Sequence, residues 1–282
     1  MEIKKIAILG SGVMGSGIAL VVANCGYEVT LFSRKGKAGL QRFYADVQKG
    51  VVRQSIDDKQ ASNILSRVKW SAYLERACED ADLVLEAVVE DLVTKRRLFK
   101  KADSFCKQDC ILASNTSSLS LTSLAESTKR VDRIVGMHFF NPAPLMKLIE
   151  VVQTCYSSRD TINSVIDFSK KLGKEPLIVA DTPGFVVNRI LMPMVNSAVY
   201  ALMDKVATAE TIDRAMCLGA NHPLGPLALA DYIGIDICAK TLNELYDKLK
   251  DPKYRVCPLL NQMVREGNLG RKTGKGFFIY NC

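Results

Sequence analysis

The chain has 282 residues, of which 48% are hydrophobic and 24% charged, and its formal net charge is +8 at pH 7. These values predict a folded protein with two cores and no disordered region. Its apolar runs are short and broken by charge, which excludes a membrane-spanning helix, and its lysines and arginines are spread along the chain, which argues against nucleic-acid binding.

The first residues, the cysteines and the net charge indicate the cellular compartment and the kind of ligand to expect. The first residues read as a strand rather than an export signal or transit helix, so we expect a cytoplasmic protein. The nine cysteines are scattered singly, so we expect reduced thiols and no metal site. Cys106 and Cys110 come closest to a pair, and we expect them to share a helix or loop. The positive charge suits a small molecule with several phosphates, although it also serves solubility.

The N-terminus reads as a strand, a glycine turn and a helix. The predicted strand covers residues 4–9, and the turn GSGVMG follows at 10–15. Gly10 permits a tight turn, Gly12 lets backbone N–H groups approach a pyrophosphate, and Gly15 permits close packing of the helix. The helix N-terminus favours an anion. A purely structural glycine turn is the alternative. We predict dinucleotide contacts at Gly10, Gly12, Val13, Met14 and Gly15.

Strand and helix signals then alternate through the first two thirds of the chain. Predicted strands cover residues 28–32, 83–87, 111–114, 134–138, 148–152 and 175–179, and predicted helices cover 39–49, 57–66, 94–105 and 160–172. Later signals are helical only, at 187–204, 209–217, 226–232 and 235–250. This order is typical of a doubly wound, Rossmann-type α/β domain followed by an all-α domain. We expect a dinucleotide-binding domain at 1–182 and a helical domain at 183–282.

Polar residues follow three of the predicted strands. They are Glu90, the run 115–118 that contains Ser117, and His138. Because ligands of such sheets bind beyond the carboxyl ends of the strands, we expect these residues to converge on one crevice. Alternatively, Ser117 caps a helix that begins near Leu119.

His138 is one of only two histidines; the other, His222, lies in a loop-like stretch before Pro223. Imidazole is the most frequent acid or base near neutral pH, so His138 is the candidate for proton transfer. Glu150 lies within an apolar strand, where an unpaired carboxylate is costly. We expect burial beside His138 to offset that cost, and a surface ion pair is the alternative.

Motifs along the whole chain resemble those of the 3-hydroxyacyl-CoA dehydrogenase family, most closely its short bacterial form. They lie at residues 10–15, 113–119, 136–142, 181–189, 218–226 and 270–277. The resemblance implies an oxidoreductase that interconverts an L-3-hydroxyacyl-CoA and a 3-oxoacyl-CoA with a nicotinamide cofactor. A short-chain substrate such as 3-hydroxybutyryl-CoA is expected. The helical domain is expected to serve substrate binding and dimerisation, so a homodimer is implied.

The resemblance also implies roles for single residues. Its catalytic pair falls on His138, as general acid/base, and Glu150, which orients the imidazole. Ser117 and Asn188 become substrate contacts that position the reacting carbon. For CoA, Lys49 and Arg53 are candidate phosphate contacts, with ordinary solvated charges as the alternative. The implied cofactor contacts are Glu90, Lys95, Ser117 and Asn141.

One position departs from the family. Where most members carry an aspartate that binds the adenosine ribose, this chain has Ser33, followed by Arg34 and Lys35. A carboxylate repels a 2′-phosphate, whereas a hydroxyl and two cations can bind one. We therefore predict that Ser33 and Arg34 contact the cofactor and that NADP is preferred over NAD. The alternative is a tolerated loss of the aspartate with a solvated Arg34.

Three competing functions remain. Hydroxyisobutyrate and 6-phosphogluconate dehydrogenases share the glycine turn and helical domain, but their lysine-dependent chemistry leaves His138 with Glu150 unexplained. Sugar-acid dehydrogenase relatives carry a different run around the catalytic histidine. The third is a cofactor-binding protein without turnover, against which the retained His138, Glu150, Ser117 and Asn188 argue.

Overall fold

The structure is a computed structural model, and it describes residues 2–280. The chain divides after Thr182 into two compact units, the second of which begins at Pro183.

The first unit is built on an eight-stranded sheet. Its strands are β1 (Lys5–Leu9), β2 (Glu28–Phe32), β3 (Val68–Ser71), β4 (Leu83–Glu86), β5 (Ile111–Ser114), β6 (Ile134–Phe139), β7 (Leu148–Gln153) and β8 (Glu175–Ala180). They lie in the order β3-β2-β1-β4-β5-β6-β7-β8. β4 and β5 are buried along their whole length, as expected of parallel strands covered on both faces.

One pair of strands departs from the parallel pattern. β6 and β7 are antiparallel, whereas every other neighbouring pair is parallel. A parallel pair needs a crossover of about a dozen residues or more. The connection at 140–147 is too short for that, so β7 folds back directly onto β6. The sheet is therefore mixed, within the Rossmann-type architecture that the sequence predicts.

Seven α-helices accompany the sheet within residues 2–182. They are α1 (Val13–Asn24), α2 (Gln41–Val52), α3 (Asp58–Arg67), α4 (Leu74–Cys78), α5 (Leu92–Phe105), α6 (Leu121–Ala125) and α7 (Arg159–Lys171). α1 carries Ile18 and Val22, both fully buried, into the main core, where Phe43 of α2 and Ile64 of α3 meet them. α2 and α3 thus form a helical pair that packs on α1.

Most predicted elements agree with the structure to within three residues, but β3 and α4 were not predicted. β3 is four residues long at the edge of the sheet, and its Lys69 and Trp70 are exposed. α4 has only five residues. β3 contains only two apolar residues, Val68 and Trp70, and the five residues of α4 complete little more than one helical turn, so neither segment gives a strong pattern in the sequence.

The regular secondary structure of the second unit is helical within its described part, residues 183–280, where two isolated β-bridges, Gly270–Lys275 and Lys275–Ile279, lie after the last α-helix. Its helices are α8 (Val187–Met203), α9 (Ala209–Gly219), α10 (Pro226–Ile233), α11 (Ile235–Leu249) and α12 (Pro258–Arg265), of which α12 was not predicted. Val195 of α8, Leu227 of α10 and Leu242 of α11 are fully buried in one core. The fold class of an α/β unit followed by an all-α unit is confirmed.

Candidate active site

The glycine turn between β1 and α1 leaves the N-terminus of α1 open. Gly10 has a φ of 119°, and a Cβ there would lie 2.5 Å from the Ala87 carbonyl oxygen. A Cβ on Gly15 would overlap the Gly10 carbonyl oxygen, so the helix packs directly on the turn. Gly12 is the N-cap of α1; no side chain of residues 2–280 caps it, and a Cβ there would meet nothing within 4 Å. Uncapped N–H groups beside open space fit the pyrophosphate of a dinucleotide.

The side chains in the first turn of α1 differ in exposure. Val13 is 48% exposed, whereas Met14 is partly buried and packs on the main core.

Ser33 lies directly after β2 and is buried beside the glycine turn. Its hydroxyl oxygen accepts hydrogen bonds from the Ser11 hydroxyl at 3.0 Å and from the Lys35 backbone N–H at 3.3 Å. The side chains of Arg34 and Lys35 are exposed. Because β1 and β2 are parallel neighbours, Ser33 and the turn leave the sheet at the same edge. This places exposed cations, and no carboxylate, directly after β2.

A buried network of charged groups joins the ends of β4 and β5 to α5. Glu86, the last residue of β4, is fully buried, and its carboxylate accepts hydrogen bonds from Lys95 Nζ at 2.7 and 2.9 Å and from Ser114 Oγ at 2.6 Å. Lys95 is 1% exposed and also forms an ion pair with Glu90 at 3.0 Å. Because each charge has partners, the cost of removing it from water is offset.

Glu90 connects this network to the loop 115–118. Its Oε1 accepts hydrogen bonds from the Ser117 N–H at 3.0 Å and from the Thr116 hydroxyl. Burial alone would raise the pKa of Glu90, but Lys95, the Thr116 hydroxyl and the Ser117 N–H together hold the pKa below its usual value. The ionised carboxylate therefore fixes the backbone that presents Ser117.

The alternative role of Ser117 as a helix cap is wrong. α6 begins at Leu121, two residues later than expected, and its N-cap is Ser120, whose side chain accepts a hydrogen bond from the Ser123 N–H. Ser117 instead belongs to the loop held by Glu90.

His138 and Glu150 are in contact. They lie directly opposite each other in the antiparallel pair of β6 and β7, and His138 Nδ1 is 2.7 Å from Glu150 Oε2. Side chains of directly opposed residues lie on the same face of a sheet. His138 is 6% exposed and Glu150 1% exposed. The contact is thus a buried imidazole–carboxylate pair, not a surface ion pair.

Two further contacts position the end of β6. Asn115 Oδ1 accepts a hydrogen bond from the Phe139 N–H at 2.8 Å, which ties the loop after β5 to the residue after His138. The rings of His138 and Phe140 lie with their centroids 4.5 Å apart. The carboxyl ends of β5 and β6 are adjacent and parallel, so His138 lies at the same edge of the sheet as the loop 115–118.

Lys174 anchors the loop that follows β6. Its Nζ donates hydrogen bonds to the carbonyl oxygens of Ala143 at 2.7 Å and Met146 at 2.8 Å. The residue is 7% exposed, and burial lowers its pKa. Asn141 is exposed in the same loop and precedes Pro142 in a cis peptide bond. Lys174 therefore holds the segment that carries one of the expected cofactor contacts.

The remaining candidate residues belong to helices or directly follow one. Lys49, on α2, is exposed, with its Nζ 4.0 Å from a carboxylate oxygen of Asp46, and Arg53 is exposed at the end of α2. Asn188 is partly buried at the start of α8, in the second unit.

Sequence reasoning missed Glu86 and Lys174. Glu86 interrupts the apolar run at residues 83–89, much as Glu150 interrupts β7, so the cost of burying a lone carboxylate was a usable signal. Lys174 carried no such signal, because it lies among other charged residues between α7 and β8.

Within residues 2–280, no helix is both long and apolar enough to cross a membrane, and no cluster of three or more histidine, cysteine or acidic side chains is suited to hold a metal ion.

Family models match both units of the chain. The 3-hydroxyacyl-CoA dehydrogenase NAD-binding domain matches residues 5–182, and the 3-hydroxyacyl-CoA dehydrogenase C-terminal domain matches residues 184–280.

Individual relatives match over nearly the full length. The 3-hydroxybutyryl-CoA dehydrogenase of Clostridioides difficile is 48% identical over 281 residues, which cover 98% of this chain and 99% of that protein. A probable 3-hydroxybutyryl-CoA dehydrogenase of Bacillus subtilis is 44% identical over 283 residues, which cover 99% of this chain and 98% of that protein. The crystal structure of (S)-3-hydroxybutyryl-CoA dehydrogenase PaaH1 from Ralstonia eutropha superimposes on this chain with a TM-score of 0.92. The two sequences are 40% identical, and the match covers 100% of each chain. The chain therefore belongs to the 3-hydroxyacyl-CoA dehydrogenase family and is a nicotinamide-dependent oxidoreductase.

Proposed function

We propose that this protein interconverts L-3-hydroxyacyl-CoA and 3-oxoacyl-CoA, with short-chain substrates such as 3-hydroxybutyryl-CoA. The observation that carries the proposal is the buried contact of His138 with Glu150, at the edge of the sheet where parallel strands end. Membership of the family and the names of the bacterial relatives support the choice of substrate.

His138 is the residue that transfers the proton. In the oxidation direction its Nε2 accepts the proton of the substrate hydroxyl, while Nδ1–H donates to Glu150, which holds one tautomer and stabilises the imidazolium. In the reduction direction the imidazolium returns that proton to the carbonyl oxygen. A nicotinamide cofactor bound at the N-terminus of α1 supplies the hydride acceptor or donor for this reaction.

Ser117 and Asn188 position the substrate. Ser117 belongs to the loop that Glu90 holds, and its hydroxyl is proposed to hydrogen-bond the substrate oxygen. Asn188 is proposed for the same role on the family resemblance alone. Asn141 and Glu90 are proposed cofactor contacts. Because Lys95 is enclosed by two carboxylates, we assign it an indirect part in cofactor binding, through Glu90.

The reaction is tested by following the absorbance of the reduced nicotinamide with acetoacetyl-CoA as substrate. We expect oxidation of the cofactor with acetoacetyl-CoA and none with free acetoacetate. Sugar acids, assayed with the oxidised cofactor, are the control for the alternative sugar-acid activity. Turnover of sugar acids, or no turnover of any of these compounds, would overturn the proposal.

For the cofactor, we propose a preference for NADP over NAD. Support comes from Ser33, an uncharged side chain where most of the family carries a carboxylate, and from the exposed cations Arg34 and Lys35. A 2′-phosphate beside β2 would meet no repelling charge there, and Arg34 can donate several hydrogen bonds to it. Measuring kcat/KM with both cofactors tests this. We expect Ser33→Asp to reverse the preference, and better use of NAD by the unaltered protein would refute it.

Two finer assignments complete the proposal. Lys49 and Arg53 are candidate contacts to the phosphates of CoA, because both are exposed, Lys49 on α2 and Arg53 directly after that helix. A homodimer formed through the second unit is proposed because apolar side chains of its helices are exposed, among them Ile190 at 67% and Ile237 at 48%.

A further inference from the structure

Three cysteine side chains meet at the opposite end of the sheet from His138. Cys78 is the last residue of α4, Cys106 directly follows α5, and Cys110 directly precedes β5. The Cys106 thiol interacts electrostatically with the thiols of both Cys78 and Cys110, and the backbone carbonyl groups of Cys106 and Cys110 accept hydrogen bonds from the same guanidinium, that of Arg130. Cys78 and Cys110 are fully buried, whereas Cys106 is partly exposed. One accessible sulfur is thus held against two inaccessible ones.

Arg130 fixes the segment that carries two of these thiols. Its Nε pairs with Asp103 Oδ1 at 2.5 Å. Its Nη1 donates to the carbonyl oxygens of Lys107 at 2.5 Å and Cys110 at 3.1 Å, and its Nη2 donates to that of Cys106 at 3.4 Å. Because one rigid guanidinium binds the backbone on both sides of the turn, the approach of Cys106 to Cys110 does not depend on motion of a loop.

The pKa values of the three thiols are shifted in different directions. Hydrogen bonds from Cys110 and Cys78, together with the charge of Arg130, lower the pKa of the Cys106 thiol. The hydrogen bond to Cys106 and burial raise the pKa of the Cys78 and Cys110 thiols. The accessible sulfur is therefore the one that most readily becomes a thiolate, which is the nucleophilic form of cysteine.

We propose that Cys106 is a peroxide-reactive cysteine that forms a reversible disulfide with one of its buried neighbours, Cys78 or Cys110. The modification site lies apart from the residues proposed for catalysis, and it does not depend on the identity of the substrate.

The chemistry takes two steps with hydrogen peroxide as the oxidant. The Cys106 thiolate attacks one peroxide oxygen, so that an S–O bond forms, the O–O bond breaks and hydroxide leaves; sulfur loses two electrons and peroxide gains them. The neighbouring thiol then attacks the Cys106 sulfur, so that an S–S bond forms, the S–O bond breaks and the sulfenic oxygen leaves as water with the thiol proton; the proton that Cys106 released on becoming a thiolate neutralises the hydroxide of the first step. The net products are one disulfide and two waters, and a dithiol reductant reverses the change.

Two other cysteines of the first unit can be compared with Cys106. Cys25 and Cys155 are exposed in the same unit, but neither lies in the cluster around Cys106. If exposure alone decided reactivity, these two would oxidise before the partly exposed Cys106. The proposal predicts the opposite order.

The test treats the reduced full-length protein with limiting hydrogen peroxide at pH 7, blocks remaining thiols with iodoacetamide, and identifies disulfides by peptide mass spectrometry. We expect Cys106 to oxidise about tenfold faster than Cys155, since the lowered pKa of Cys106 favours its thiolate. We also expect Cys106 to be joined to Cys78 or Cys110, and dithiothreitol to restore the thiol. Equal rates at Cys106 and Cys155, or Cys106 sulfinic acid in place of a disulfide, would overturn the proposal.

Variants separate the attacking sulfur from its partners. Cys106→Ser is expected to abolish the disulfide, whereas the matched control Cys155→Ser leaves it unchanged. In the double variant Cys78→Ser, Cys110→Ser, Cys106 is expected to remain as a sulfenic acid that dimedone traps. Circular dichroism checks that each variant is folded, and a Cys78–Cys110 disulfide in Cys106→Ser would contradict the assignment of the attacking sulfur.

Discussion

At the scale of single residues, the contact of His138 with Glu150 follows from strand register. The two residues are twelve apart in sequence, and the fold-back of β7 onto β6 makes them directly opposed neighbours. The apolar surroundings explain the pairing, because a buried carboxylate without a partner would cost several kcal/mol. The pair thus offsets the cost of burying Glu150 as well as being proposed for proton transfer.

The first prediction concerns His138. His138→Gln is expected to lower kcat by roughly 10²- to 10⁴-fold, the usual contribution of a general acid or base, with KM nearly unchanged. Steady-state kinetics with acetoacetyl-CoA measure both. His222→Gln, at the other histidine of the chain, is the matched control and should keep near-normal turnover. Near-normal turnover in His138→Gln would remove the assignment.

The second prediction concerns the pH dependence of Glu90. Its pKa is lowered in the folded state, so its stabilising contribution is present above the unfolded pKa of about 4.3 and is lost as pH falls through the lower folded value. Glu90→Gln is expected to cost about 1–3 kcal/mol of unfolding free energy at pH 7. The difference from the unaltered protein should shrink as pH falls below about 4.3.

Unfolding followed by fluorescence across that pH range measures the difference. The exposed Glu126 provides the control, since Glu126→Gln should change stability little at any pH. A Glu90→Gln deficit that stays constant with pH would show that the carboxylate charge is not what stabilises the loop.

At the scale of elements, the candidate site residues follow the ends of strands, and helix α5 fixes their positions. Glu86 ends β4, Ser114 ends β5, and Lys95 of α5 joins their side chains in one network. The loop 115–118 is therefore anchored through Glu90 to a helix rather than left free. Such support keeps a reacting group within the small positional tolerance that catalysis demands.

The third prediction concerns the cap of α3. Asp57 and Gln60 form a capping box: Asp57 Oδ1 accepts from the Gln60 N–H at 2.7 Å and Gln60 Oε1 from the Asp57 N–H at 3.0 Å. Asp57→Ala should cost about 0.5–2 kcal/mol locally, which raises the hydrogen-exchange rates of α3 amides roughly 2- to 30-fold. Asp58→Ala, one residue later, removes no cap and should change these rates less. Equal effects of the two variants would contradict the capping role.

At the scale of the whole molecule, charge and exposed apolar surface suit the proposed ligands and assembly. The net charge of +8 attracts a cofactor and a thioester that both carry phosphates. The second unit exposes apolar side chains on helices whose other faces form its core, among them Ile190, Tyr232 and Ile237. Surface of this kind marks an association site in soluble proteins.

The fourth prediction concerns that association. Sedimentation velocity is expected to show a dimer of the unaltered chain at micromolar concentration. Ile190→Asp should raise the dissociation constant at least about tenfold, because it places a charge in an apolar contact. Val52→Asp, at a residue of the first unit that is 80% exposed, is the matched control and should leave the dimer intact. A monomeric unaltered chain would refute the homodimer.

Much of the fold could be read from local patterns. The strand–turn–helix of the glycine turn, the strands β2 and β5 and the helices of the second unit follow from hydrophobic period and turn residues within short windows. The candidates His138, Glu150, Glu90 and Ser117 were visible for the same reason, since polar residues next to apolar strands stand out without knowledge of the fold.

What the sequence by itself determined is therefore the type and order of the elements and the inventory of reactive side chains. Only the tertiary structure decided that β7 runs against β6, that Glu86 and Lys95 are ion-paired within the network that holds Ser117, and that three scattered cysteines touch. Each of these is a contact between different elements or turns, and it depends on how they pack together in the folded chain. Local periodicity reports which face of an element is apolar, but it carries no information about the partner that covers that face.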